Sequence, residues 1–258
     1  MLEIEKDHRG VLRLWLNRPE KHNAMNADMM DAIISTMAAI TPGDPRVIVL
    51  AGRGKSFCAG GDLDWMRAQF EAGPAARERE ARRLSTMLAA LHACDVPIIG
   101  RLHGNAFGGG VGLASICDVA IGVRGRLLGL TETKLGLTPA TIGPYVAARL
   151  GAKTRSVFMS SRVFDAQEAA ELGLLGRVVG DEAALDDAIE QEIAAYLACA
   201  PGAVADAKRL ARDLGPVIDD AVIERSLAAL TARWEEGEAK EGLAAFFEKR
   251  PPSWARQP

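Results

Sequence analysis

The apolar positions change their period along the chain, and each change marks an element. Val11, Leu12, Leu14 and Leu16 follow the turn Asp7-His8-Arg9-Gly10, so residues 4–16 predict a β-hairpin that Asn17-Arg18-Pro19-Glu20 breaks. Met29, Met30, Ile33, Ile34 and Met37 recur at helical spacing behind Asn26, a residue suited to an N-cap. They predict a helix over 27–40 that Thr41-Pro42-Gly43-Asp44-Pro45 stops. Val47-Ile48-Val49-Leu50 is apolar without interruption, the mark of a short strand covered on both faces. Residues 78–93 are charged at first and carry Leu84, Met87, Leu88 and Leu91 later, as an amphipathic helix does. Pro97-Ile98-Ile99 opens another covered strand, Gly108-Gly109-Gly110 leads into 111–117, and residues 119–123 form one more strand.

This alternation argues an α/β fold with crossover connections, in which ligands sit at the carboxyl ends of the strands. From Gly151 onward the helical period dominates, over 153–160, 166–172, 184–198, 203–214 and 221–234, with Arg177-Val178-Val179 strand-like. The expected organisation is an α/β core over 1–195 and a helical region over 196–258, whose tail begins near Pro201. The sequence shows no internal repeat.

A chain of 258 residues with 48% hydrophobic and 25% charged positions can bury a full core without disulfides or metals. Its 31 Lys and Arg against 34 Asp and Glu leave a net charge of −3, which argues against a nucleic-acid partner. Cys58, Cys94, Cys117 and Cys199 are scattered, without metal-ligand spacing, and read as reduced thiols in a cytoplasmic protein. The start lacks the charged-then-apolar order of a secretory signal, and the longest low-charge stretch, between Arg101 and Asp118, is Gly-rich and holds His103 and Asn105. No membrane partner is expected.

Several nucleotide and hydrolase motifs fail on their spacing. Gly54-Lys55-Ser56 lacks the phosphate-loop glycine at position 49, which is Val, and Gly108, Gly109, Gly110 and Gly112 do not match G-x-G-x-x-G. What remains is a pair of glycine-rich turns, 56–63 and 103–112, each after a covered strand. Two readings stand: the glycines merely allow tight turns and close packing, or the N–H groups of Gly61 and Gly109 are aimed at a developing oxyanion. Glu132 by itself reads as a surface carboxylate beside Lys134.

Leu16-Asn17-Arg18-Pro19, Phe57-Cys58-Ala59-Gly60-Gly61-Asp62-Leu63, Gly104-Asn105-Ala106-Phe107-Gly108-Gly109-Gly110, Cys117-Asp118 and Glu132-x-x-x-Gly136-x-x-Pro139 occur in that order. Ala166-Gln167-Glu168-Ala169, Gly173-Leu174 and the closing 241–250 follow them. Together they resemble the enoyl-CoA hydratase/isomerase (crotonase) family end to end. Residues 105–113 and 131–142 look like its bacterial methylglutaconyl-CoA and carboxygeranoyl-CoA hydratase branch.

The resemblance implies a repeated ββα core, a C-terminal helical region for oligomerisation and CoA contact, and a homotrimer or homohexamer. It places Gly61 and Gly109 at an oxyanion hole for the thioester carbonyl, and Glu132 at the second of two catalytic glutamates. The first glutamate falls on Gly112, so the chain lacks it. Lys21, His22, Ala24, Ala59, Asp62 and Leu63 fall where the family contacts substrate and CoA, and Lys249 resembles a terminal-helix lysine that reaches a CoA phosphate. By residue type, Asp62 and Asp118 suit turns and helix ends, Cys58 and Cys117 suit packing, and His103 is not a favoured catalyst. The segment 67–83 is expected to be partly mobile and to help shape the acyl pocket.

The implied activity is hydration of a 2-enoyl-CoA by way of an enolate, with CoA as part of the substrate and no metal or redox cofactor. Burial of Glu132 should raise its pKa toward neutrality. A branched or carboxylated substrate such as 3-methylglutaconyl-CoA would bring a carboxylate to take over from the missing glutamate, with Lys134 or Arg149 as its partner. The alternative is an isomerase, since moving a proton between two carbons needs one carboxylate and no activated water. A CoA-binding scaffold and an RNA-binding relative rank lower; the helix over 27–40 carries Asp28 and Asp31 and no Lys or Arg.

Overall fold

The computed structural model describes residues 1–256. The expected hairpin forms from β1 (Leu2–Lys6) and β2 (Val11–Leu16), antiparallel with Leu2 opposite Leu16. Asn26 accepts the Met29 N–H (3.1 Å) and starts α1 (Ala27–Ala38), which buries Met29, Met30, Ile33 and Met37. Three strand pairs follow, each leading into helix: β3 (Val47–Gly52) and β4 (Ser56–Cys58) before α2 (Leu63–Glu71) and α3 (Pro74–Ala93), then β5 (Ile98–Leu102) and β6 (Asn105–Phe107) before α4 (Gly109–Ile116). The third pair is β7 (Val119–Val123) and β8 (Leu127–Gly129), followed by α5 (Gly143–Leu150) and α6 (Arg155–Phe158). The chain continues through β9 (Val163–Asp165), α7 (Ala166–Leu172), β10 (Arg177–Val179) and α8 (Glu182–Leu197). It ends with α9 (Pro201–Leu214), α10 (Asp220–Glu235) and α11 (Gly237–Phe247).

Each pair divides between two sheets. The larger has the order β1-β2-β3-β5-β7-β10 and is parallel from β2 onward; the smaller has the order β4-β6-β8-β9. The repeat is therefore one of structure, as the ββα resemblance implies, although nothing in the sequence repeats. The strands of the smaller sheet are three residues each and mix polar, aromatic and glycine positions, so no hydrophobic period reveals them.

The continuous run at β3 is explained by cover on both sides. Ile48 and Leu50 join the main core with α1, α3 and α4, whereas Val47 and Val49 face α8 through Leu185, Ala188, Ile189 and Ile193. Position 195 lies inside α8, so the sheet-covering unit ends at Leu197 and the tail starts at α9. The segment 67–83 is mostly helical: it holds the end of α2 and the first half of α3, which starts at Pro74, four residues before the expected 78. Among the described residues no helix is long and apolar enough to cross a membrane.

The first tail helix, α9, buries none of its residues and is held by polar contacts. Lys208 Nζ donates to Asp118 Oδ2 (2.7 Å) and Val96 O (2.9 Å), while the same Asp118 oxygen accepts the Ile98 N–H (2.7 Å). One carboxylate thus ties the entry of β5 to the tail. Asp118→Ala leaves the Ile98 N–H and the Lys208 ammonium without it, and should cost about 1–3 kcal/mol. In thermal denaturation that appears as a Tm lowered by roughly 3–8 °C, with proteolysis beginning in α9.

Candidate active site

The two glycine-rich turns approach each other through their backbones, with the Met25 side chain packed directly against Gly109. A methyl group added at Gly109 would lie 3.9 Å from Gly60 Cα, and one added at Gly60 would lie 3.1 Å from Phe107 O. Gly60 (φ +94°) and Gly108 (φ +48°) hold left-handed backbone that a side chain would strain. The first turn is pinned on its other side: Met25 N–H donates to Gly60 O (2.8 Å), Asp62 N–H to Met25 O (2.9 Å) and Ala59 N–H to His22 O (3.0 Å). Gly108 N–H donates to Gly129 O (2.9 Å). The N–H groups of Gly61 and Gly109 find no acceptor among the described residues, and both glycines line one cavity of about 390 Å³.

Glu132 enters this cavity from a 3₁₀ turn, Glu132–Leu135, that Gly136 ends in left-handed conformation. Its Oε1 lies 3.1 Å from where a Gly108 side chain would begin, so carboxylate and glycine turn are in contact. The residue is half-buried as a whole, but Oε2 is fully enclosed and has no hydrogen-bond partner. That burial outweighs the backbone N–H groups of Glu132 and Thr131 and pushes the carboxyl up to about 7. The turn is clamped from behind: Arg233 donates through Nε (3.1 Å) and Nη2 (3.0 Å) to Gly136 O, and a methyl at Gly242 of α11 would lie 2.4 Å from Leu135 C.

At Gly112 an added methyl would lie 2.5 Å from Ile142 Cγ2 and 2.9 Å from Ile142 Cβ. Ile142 is buried and also lines the cavity, so an apolar wall stands where the family resemblance places the first glutamate.

Comparison with known proteins shows the family. The family model for enoyl-CoA hydratase/isomerase matches residues 6–257. The chain belongs to that family. A putative enoyl-CoA hydratase of Thermus thermophilus is 33% identical over 98% of this chain and 99% of its own. The 1,2-epoxyphenylacetyl-CoA isomerase of Escherichia coli is 32% identical with the same two coverages, 98% and 99%. A crystal structure of a putative enoyl-CoA hydratase from Mycobacterium avium paratuberculosis superposes with a TM-score of 0.85 at 28% identity, covering 99% of this chain and 100% of that one. The protein is an enzyme of the hydratase/isomerase family with the crotonase fold.

The other residues singled out by the family resemblance divide. Ala59 and Leu63 line the cavity with Gly61, Gly109 and Glu132. Lys21 and His22 are exposed and do not line the cavity, Lys21 paired with Asp64 (2.9 Å) and His22 Nδ1 within 3.0 Å of Ser56 Oγ. Asp62 lies behind the wall: it caps α2 by accepting the Asp64 and Trp65 N–H groups and pairs with Arg18 (2.8 Å), which also binds Ala24 O. Those contacts hold its carboxyl below the usual range despite burial, and they leave Asp62 and Ala24 as parts of the scaffold. Lys249 is exposed beyond α11, whereas its neighbour Phe246 lines the cavity. Lys134 lines the cavity. Arg149 does not: it donates to Ser115 O (3.2 Å) beside a separate cavity under α9. His103 is buried against Gly54 O (2.8 Å), and burial raises the thiols of Cys58 and Cys117 to about 12.

Phe246, from the closing motif 241–250, also lines the cavity, as do Trp65, Met66, Gln69, Arg77 and Trp234, which carry no sequence motif. Of these, Trp65 and Met66 follow directly from Gly61-Asp62-Leu63, the one signal that points to them.

Glu132 has a raised folded pKa, so its neutral form is the stable one in the fold, and stability drains away as pH rises from the unfolded value of 4.5 through about 7. Glu132→Gln removes that loss. The variant should melt at the same temperature as wild type near pH 4.5 and higher at pH 8, by about 3 kcal/mol in calorimetry.

Proposed function

We propose that the protein hydrates a 2-enoyl-CoA, with Glu132 as the one carboxylate that exchanges a proton with the α-carbon. The supporting observation is the enclosed, unpartnered Oε2 of Glu132 in a cavity it shares with the free N–H groups of Gly61 and Gly109. Those two donors take the thioester oxygen as it gains charge. One such donor typically contributes roughly 3 kcal/mol to the transition state. A carboxyl group poised near pH 7 then gives its proton to the α-carbon as water bonds to the β-carbon.

The proton lost by that water needs a second base. Ile142 fills the place a glutamate at 112 would take, so the base is a carboxylate carried by the substrate, which favours a branched or carboxylated acyl group such as 3-methylglutaconyl. Substrate carboxylate takes the water proton, Glu132 protonates carbon, and solvent returns a proton to Glu132. The same wall favours a second reading, isomerisation, in which Glu132 as carboxylate removes a proton at one carbon and returns it at another.

Heavy-water incubations with 3-methylglutaconyl-CoA and with a 3-enoyl-CoA, followed by product mass, separate the two readings. The account expects water addition to the first substrate, lowered roughly 10²–10⁴-fold in Glu132→Gln; isomerisation or deuterium exchange without water addition would replace it by the isomerase reading. The pH profile carries the same sign test. Hydration needs protonated Glu132, so kcat/KM falls above about pH 7, whereas isomerisation needs the carboxylate and falls below it. A double variant, Gly112→Glu with Ile142→Ala, opens room for a second carboxylate and should gain hydration of neutral crotonyl-CoA.

A further inference from the structure

The charged residues lining the cavity are Glu132, Lys134 and Arg77. Lys134 is exposed at the rim, whereas the Arg77 side chain is 14% exposed and sits at the corner between α2 and α3, under Trp234 of α10. A guanidinium placed this deeply in the wall of a largely apolar cavity is costly unless its donors are used.

The donors are used in part. Arg77 Nε donates to Gln69 O (3.0 Å), Nη2 to Phe70 O (3.3 Å) and Nη1 to Glu235 Oε1 (3.1 Å). A guanidinium has five N–H groups, so one on each terminal nitrogen remains. Two backbone carbonyls fix its plane, and its sole acidic partner among the described residues, Glu235, is half exposed. Beside it Gln69 is buried, lines the same cavity, and has an Oε1 without any partner. Turning the Gln69 amide over exchanges its oxygen and nitrogen and places an N–H donor at that unpartnered position.

We infer that Arg77 and Gln69 form a carboxylate-binding subsite in the acyl cavity and set the specificity of the enzyme for acyl-CoA esters with a second, free carboxylate. Arg77 meets one or both oxygens with its spare N–H groups, the paired geometry for which a planar guanidinium is suited. Gln69 supplies a further donor. Trp65 and Met66, within 3.5 Å of the position of a Gly61 side chain, lie earlier on the same helix, so the subsite is further along α2 than the thioester site. It deepens the proposed function, because it rests on the cavity taking an acyl-CoA and supplies the element that orients a carboxylated chain.

Binding of saturated ligands tests the subsite without any turnover. Dissociation constants are measured by calorimetry for glutaryl-CoA and adipyl-CoA, and for valeryl-CoA and hexanoyl-CoA as their neutral counterparts. Wild type should prefer at least one dicarboxylic ligand over its neutral counterpart. Arg77→Met should weaken that ligand about 10-fold or more while the neutral pair stays within about 2-fold, the loss expected of a charge-assisted hydrogen bond. Glu235→Gln frees the guanidinium of its competing anion and should tighten the dicarboxylic ligand alone by about 2- to 5-fold. Equal weakening of both series in Arg77→Met assigns Arg77 to the α2–α3 corner only and overturns the subsite. Should Arg77→Met fail to fold, Glu235→Gln decides, and an unchanged preference overturns the subsite. Absence of hydration by a wild type that still shows the preference defeats the proposed reaction and leaves the subsite standing.

Discussion

Direct backbone contact between two glycine turns is what the rest of the site depends on. Gly60 and Gly108 adopt conformations reserved for glycine, and at Gly110 a methyl would lie 2.4 Å from Cys58 O. This lets two unpartnered N–H groups, from chain segments almost fifty residues apart, share one cavity. It also gives Glu132 Oε1 a surface of bare backbone to rest against, while the other oxygen, Oε2, is enclosed without a partner. Burial of the carboxyl raises its pKa.

Charge inside the cavity is sparse, and each charged group has a different degree of cover. Glu132 is held near neutrality by burial, Lys134 is exposed, and Arg77 is fixed by carbonyls with donors to spare. Ile142 closes the position from which a second carboxylate would act. In the proposed reaction, such a site moves one proton with its own side chains and leaves the further acid–base work to the substrate. The tail contributes from behind, because Arg233 of α10 and Gly242 of α11 seat the turn that presents Glu132.

Legibility in the sequence followed burial and period. The covered strands β3, β5 and β7 and the amphipathic α1 and α8 stand out because one-sided or two-sided burial imprints a repeat on their residues. Strands β4, β6 and β8 leave no such imprint, being three residues each. Helix α2 starts inside a glycine motif and buries Gln69 alone, so its apolar period is faint. Gly61, Gly109 and Glu132 are marked by motif order, but their meeting in one cavity depends on tertiary packing. Asp62 shows the limit of motif reading: its place beside Gly61 suggests a ligand contact, and the structure turns its carboxylate inward to Arg18 and the start of α2. The segment 67–83 contributes Gln69 and Arg77 to the cavity as expected, but nothing local in the sequence distinguishes Arg77 from Arg79 or Arg82, which face outward into solvent and surface ion pairs.

Burial of its carboxyl keeps Glu132 protonated up to about neutral pH. Difference infrared titration of the wild type against Glu132→Gln reads that carboxyl directly. The account predicts a C=O stretch assigned to Glu132 that disappears with a midpoint near pH 7. A midpoint near 4.5, the ordinary glutamate value, would mean that water reaches Oε2, and would contradict the account.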